Sequence, residues 1–108
     1  MASQQSQVDY IIDQMAAAGD VSAKKMFGES GVYCSGTMVA LICDNHLFVK
    51  PTAAGRAFAG ALSEAPPYPG AKPCLLVPQD RIEDANWLQS LIVLTAAGLP
   101  APKKKGKP

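Results

Sequence analysis

Between Lys25 and Pro51 the chain reads KMFGESGVYCSGTMVALICDNHLFVKP, and no other stretch limits the available folds so strongly. Three short apolar runs, rich in Val, Ile, Phe and Tyr and broken by Gly, Asp and Asn, are each ended by a turn signal. Runs of that length with that punctuation read as consecutive antiparallel strands. The dipeptides Ser35-Gly36 and Asp44-Asn45 suit two-residue hairpins, because Gly and Asn tolerate the positive φ such turns require. In a plain ladder with two such loops, Tyr33, Met38, Ala40, Ile42, Leu47 and Val49 share one sheet face. Val32, Cys34, Val39, Leu41, Cys43 and Phe48 share the other. A half-wet sheet alternates apolar with polar residues, and these strands barely do. Both faces are therefore expected to be covered, one by helices and the other by a loop, by the last helix or by a second subunit.

The flanking sequence supplies the helices. Val8, Ile11, Ile12, Met15 and Ala16 follow the i, i+3, i+4, i+7, i+8 spacing and predict a helix over residues 7–18. Ser6 and Asp9 resemble a capping box, and Gly19 is a suitable stop. A first strand is expected over Ala23–Phe27. Pro51 ends the strands, and Thr52 can cap a second helix over Ala53–Leu62 with Phe58 and Leu62 as its anchors. Gly55 and Gly60 each cost about 1 kcal/mol relative to Ala there, so that helix depends on packing, and its small residues permit close backbone approach. Ala65–Pro73 is a proline-rich extended loop, followed by a strand at Cys74–Val77 that Pro78 closes. Asp84 can cap a last helix with Trp87, Leu88, Leu91 and Ile92 facing inward, ended by Gly98 and Pro100. The sum is an α+β fold: an antiparallel sheet of about five strands with three helices, in the order α-β-β-β-β-α-β-α. Residues 1–6 read as a flexible N-terminus, 7–99 as one domain and 100–108 as a disordered basic tail.

Composition narrows the function. At 108 residues, with 48% hydrophobic and 18% charged side chains, the chain has the makings of one compact domain. The net charge of +1 hides an asymmetry, because Lys103, Lys104, Lys105 and Lys107 supply four of the ten basic residues. The remaining six face nine acidic residues, leaving the body near −3. That sign does not suit a duplex-binding surface, so direct nucleic-acid binding is expected only weakly, through the Lys103–Lys107 tail. No apolar run reaches the ~20 residues needed to cross a bilayer, so no membrane partner is expected. The opening MASQQSQVDY lacks the basic and apolar regions of a secretory signal, which points to the cytoplasm. Cys34, Cys43 and Cys74 are odd in number, lack CxxC spacing and sit in apolar runs, as buried thiols in a reducing compartment do.

Candidate chemistry is thin. His46 is the single histidine and falls at a hairpin tip beside Asp44, where a surface turn residue is the simpler reading than a catalytic base. One His and three dispersed Cys do not make a structural zinc site, and GESGVYCSG lacks the Lys-Ser/Thr ending of a phosphate loop. Neither a metal nor a cofactor is implied. Cys34 near a hairpin end is a candidate reactive thiol, weighed against a buried strand cysteine with no basic neighbour to activate it. Lys25, Lys50, Arg56, Tyr68 and Lys72 form the candidate ligand or partner surface. Lys50 and Arg56 can converge near the second helix's N-terminus and hold a phosphate or carboxylate; against this stand solvated charges or ion pairs with Glu29 and Glu64. Tyr68 either presents an aromatic ring to a partner or packs the proline loop onto the sheet.

The segments KKMFGESGVYCSGTMVALICDNHLFVKPT, AGRAF and APPYPGAKP together resemble the TfoX/Sxy family, specifically its N-terminal domain, from about Val8 to Leu94. The most specific part is MFG, then Gly31 and Tyr33, then ALICDNHLFVK. The resemblance implies an α+β domain with an antiparallel sheet against helices and no catalytic residues. It further implies a regulator of competence genes that works with the transcription machinery, the cyclic-AMP receptor protein among it. Full-length relatives carry a second, helical C-terminal domain, whereas only the tail follows Leu99 here. The expectation is a non-enzymatic regulatory or protein-interaction domain, a homodimer, with small-molecule or anion binding through Lys50, Arg56 and Tyr68 as the alternative.

Overall fold

The computed structural model describes residues 4–26, 29–60 and 62–99, without the side chain of Met26. Helix α1 spans Gln5–Met15 and tightens into a 3-10 turn at Ala16–Ala18. Strands β1 (Val21–Met26), β2 (Glu29–Cys34), β3 (Thr37–Cys43) and β4 (His46–Val49) follow as a meander. Helix α2 (Ala53–Ala59), a two-residue strand β5 (Glu64–Ala65), β6 (Cys74–Val77), a single helical turn α3 (Gln79–Ile82) and α4 (Ala85–Gly98) complete the described chain. All pairings are antiparallel, in the spatial order β1-β2-β3-β4-β6-β5. The α+β class with an antiparallel sheet is as the sequence implies, with six strands and four helices in place of five and three. The additional elements, β5 and α3, are two and four residues long and carry no periodicity of their own.

Both hairpins take the expected two-residue turns. Ser35 and Gly36 have φ of 52° and 89°, and Asp44 and Asn45 have 52° and 64°. Positive φ at both central residues is the type I′ geometry whose twist matches that of the strands. The face assignment differs from a plain ladder. Cys34 pairs with Thr37 and Tyr33 with Met38, but Val32 pairs with Ala40, leaving Val39 as a bulged extra residue. The bulge shifts the parity, so Val32 and Cys34 join Ala40, Ile42, Leu47 and Val49 on the helix-covered face. Met38 moves across to pack with Leu41, Cys43 and Phe48.

The main core lies between that face and the helices. Ile11 and Met15 of α1 and Leu88, Leu91 and Ile92 of α4 are fully buried against Val32, Ile42, Leu47, Val49 and Leu75. Asp84 Oδ1 accepts from Trp87 N at 3.2 Å, as a cap on α4 should, and Trp87 is half-buried against the core. The opposite face carries a smaller cluster of Leu41, Cys43, Phe48 and Cys74, flanked by Met38, Ala65 and Leu76. Its four central residues are buried within the single chain, so no second subunit is needed to cover them.

Local details depart from expectation in three places. Helix α1 starts at Gln5 without a side-chain cap, and Gln5 Nε2 donates to Asp9 Oδ1, so the Ser6–Asp9 capping box does not form. Helix α2 stops at Ala59, with Gly60 at φ 75° ending it short of Leu62. Phe58 is 40% exposed instead of anchored, because the inward side of α2 is given to Gly55. Strand β1 spans Val21–Met26, and Phe27, expected at its end, lies outside the described residues together with the basic tail.

Candidate functional site

The five basic and aromatic candidates do not form one cluster. Lys25 lies on β1, the edge strand at one end of the sheet. The other four lie on the segments around β4, β6 and β5 at the opposite end. Lys50 directly follows β4, half-buried, with its backbone N–H donating to Val39 O at 2.8 Å. Arg56 is engaged by Glu64 through two bonds, Nε to Oε2 at 3.0 Å and Nη2 to Oε1 at 3.1 Å. This pair keeps the guanidinium charged and holds the Glu64 carboxyl below its ordinary range, chiefly through the hydrogen bonds. With Arg56 paired and α2 only seven residues long, the structure provides no support for an anion site at that helix's start. Lys72 precedes Cys74, whose thiol donates weakly to Lys72 O at 3.7 Å. Tyr68 is 55% exposed while Pro67 is buried, so the proline loop packs through a proline and turns its tyrosine outward.

The thiols are sequestered. Cys34, Cys43 and Cys74 are free and buried. Burial pushes Cys43 up, with Glu29 and then Cys74 adding to the effect. Burial also raises Cys74, opposed by the Lys50 ammonium and reinforced by Glu64. A raised thiol stays protonated at neutral pH and is a poor nucleophile. Cys34 and His46 pair with opposite ends of β3, Thr37 and Cys43, which sets them roughly 20 Å apart at ~3.3 Å per residue, so they cannot act as a pair.

Two surface features went unread in the sequence. The first is a groove of about 710 Å³ at the β3–β4 hairpin tip, lined by Gln4, Gln7, Asn45, His46, Ser63 and Gln79 among others. Its amides are occupied with one another. Asn45 Oδ1 accepts from Gln4 N at 2.8 Å, and Gln7 Nε2 reaches both Asn45 O and Gln79 Oε1 at 3.3 and 3.2 Å. These bonds latch the start of α1 to the hairpin and to α3. His46 is the one titratable side chain among the described residues that line the groove. The second feature is a strip on α2, α3 and α4. Phe58 stacks on Trp87 with centroids 5.7 Å apart, and the Arg81 guanidinium lies over the same indole at 5.1 Å. Tryptophan, arginine and exposed aromatic rings are the groups that carry most of the binding energy at protein interfaces. The spacing Phe58…Arg81…Trp87 has no periodic signature, since it joins three separate helices.

The structure is thus a six-stranded antiparallel sheet with helices on one face. The fold and the sequence together define a small α+β domain of a known class. The chain belongs to the TfoX N-terminal domain family, which it matches over residues 13–98. It is also 40% identical, over 105 residues, to a protein of Spirochaeta aurantia described as an uncharacterized 12.7 kDa protein in the trpE 5′ region. That alignment covers 97% of this chain and 90% of the relative, so the two proteins are of similar size.

Proposed function

We propose that this chain is a non-enzymatic, protein-binding regulatory domain that acts in the cytoplasm as a homodimer. In this reading it influences transcription, competence genes among its targets, through a protein partner and without reading duplex DNA itself. Membership of the TfoX N-terminal domain family is the observation that carries the proposal. The acidic balance of the body argues for a protein partner, because a duplex-binding face needs clustered cations. Among the described residues no helix is long and apolar enough to cross a membrane. The Arg81–Trp87–Phe58 strip is the surface through which such a partner would be held.

Proximity labelling in the native cell, using the full chain with and without residues 101–108, tests this reading. The expected outcome is labelling of a component of the transcription machinery, retained without the tail and reduced by Phe58→Ala. A gene deletion that leaves the transcript profile unchanged, with no transcription component labelled, would sink the proposal.

A further inference from the structure

The sheet ends at β1, and among the described residues no strand pairs with its outer edge. The hydrogen-bond pattern fixes which groups that edge presents. Ser35 N donates to Asp20 O at 2.8 Å, and the Asp20–Ser35 pair continues the register of Val21 with Cys34. Bonded and non-bonded pairs alternate along an antiparallel ladder. Ser22, Lys24 and Met26 therefore turn their backbone groups toward β2, while Val21, Ala23 and Lys25 turn theirs outward. Val21 N has a local acceptor in Gly19 O at 3.0 Å, which leaves the Val21 carbonyl and both backbone groups of Ala23 and Lys25 at the edge.

We infer that β1 pairs antiparallel with β1 of a second copy about a two-fold axis centred on Ala23, joining two six-stranded sheets into one. The inference deepens the proposed homodimer and rests on that reading. A two-fold axis perpendicular to the sheet keeps each face on its own side, so outward residues must meet outward residues. The only register with full overlap sets Ala23 opposite Ala23, and Val21 opposite Lys25 of the other copy. It makes four backbone bonds: Ala23 N to Ala23 O twice, and Lys25 N to Val21 O twice. The side chains fit this register. Alanine at the axis imposes no crowding, and neither lysine stands directly opposite a lysine, since Lys24 meets Ser22.

Charge selects the second copy as the occupant. Val21 packs toward the main core and Ala23 lines a groove of about 410 Å³ beneath α1, so Lys25 shares that side by alternation. The groove is walled by Asp9, Ile12, Asp13 and Ala16. Asp13 lines that groove with Ala23, at the end of α1 that leads through Ala16–Ala18 into Val21, and Lys25 of the second copy arrives opposite Val21. Each dimer thereby gains two inter-copy lysine–aspartate contacts, and half-buried Ile12 is covered.

Sedimentation equilibrium over a dilution series, with amide exchange on the same samples, tests the arrangement. The wild type should approach about 22.6 kDa, twice the 11.3 kDa chain. Ala23→Pro removes an amide that β2 does not use, so it should keep the far-UV circular dichroism while weakening association roughly tenfold or more. Lys25→Glu should weaken association too, and Asp13→Lys added to it should restore it. In the wild type, exchange at Ala23 and Lys25 should slow as concentration rises, with Ser22 and Lys24 slow throughout; this holds even if the proline variant fails to fold. A wild-type dimer that survives Ala23→Pro, or whose Ala23 exchange ignores concentration, overturns the interface and leaves the homodimer standing. A strict monomer at every concentration overturns both.

Discussion

Thr52 shows how much one small side chain can organise. Its Oγ1 accepts from Gly55 N at 2.9 Å and caps α2, and its methyl side faces Gly98 at the end of α4. Thr52→Ala should cost about 1 kcal/mol, up to about 2, in chemical denaturation, because the capped amide is buried. Gly55 is the reciprocal case. A Cβ there would stand 2.9 Å from Thr52 Oγ1 and 3.5 Å from both Leu91 Cδ1 and Thr95 Oγ1. Helix propensity favours Gly55→Ala by about 1 kcal/mol, yet the hydroxyl it strikes is pinned by its capping bond. Overpacking of this kind costs about 1–3 kcal/mol, so the variant should melt below wild type. Close approach through small residues was readable in the composition of α2; the identity of the approaching partner was not, because Thr52, Leu91 and Thr95 are brought in by tertiary packing.

At the level of elements, hairpins were the most legible part of the chain and helix ends the least. Asp44-Asn45 and Ser35-Gly36 announce their turns because few residues accept φ near +50° to +90°. Start signals for α1 misled, since Gln5 takes the Asp9 carboxylate that a capping box would have used. Phe58 misled for another reason: a seven-residue helix with Gly55 against its neighbour has room for an aromatic only on the outside, stacked on Trp87. The candidate cations were legible as residues but not as a site, because Arg56 finds Glu64 and Lys25 lies at the far edge of the sheet. Ile42→Ala should destabilise by about 2–5 kcal/mol, as Ile42 is fully buried between the sheet and the helices. Cys43 and Cys74 should resist alkylation in the native protein near neutral pH and react at the rate of denaturant-driven opening, followed by mass spectrometry of quenched samples.

The whole molecule should respond to pH at both extremes, for opposite reasons. Glu64 is held below its ordinary value in the fold, so protonation favours the unfolded chain. Its contribution is present above the unfolded carboxyl value and is lost as pH falls through the depressed one. Both partners are solvent-exposed, so the effect is small and fades with salt. Cys43 and Cys74 work in the other direction. Their folded values are raised, so their contribution is full below the unfolded thiol value and is lost as pH climbs through the raised one. Thermal melts across pH should show a neutral plateau, a shallow salt-sensitive acid shoulder that Glu64→Gln removes, and an alkaline decline reduced by Cys43→Ser with Cys74→Ser.

The odd residue in β3 also governs how this domain tolerates a change of length. Excising Val39 would straighten the ladder while every other side chain of the strand keeps its side, at the expense of the atoms removed. Excising Leu41 would likewise use up the slack, but it would rotate Ala40 into the vacated outward position and leave a hole beside Phe48. One codon of spare length is thus stored in the middle of the sheet, and the melting temperatures of the two deletions, with the first higher, would reveal where.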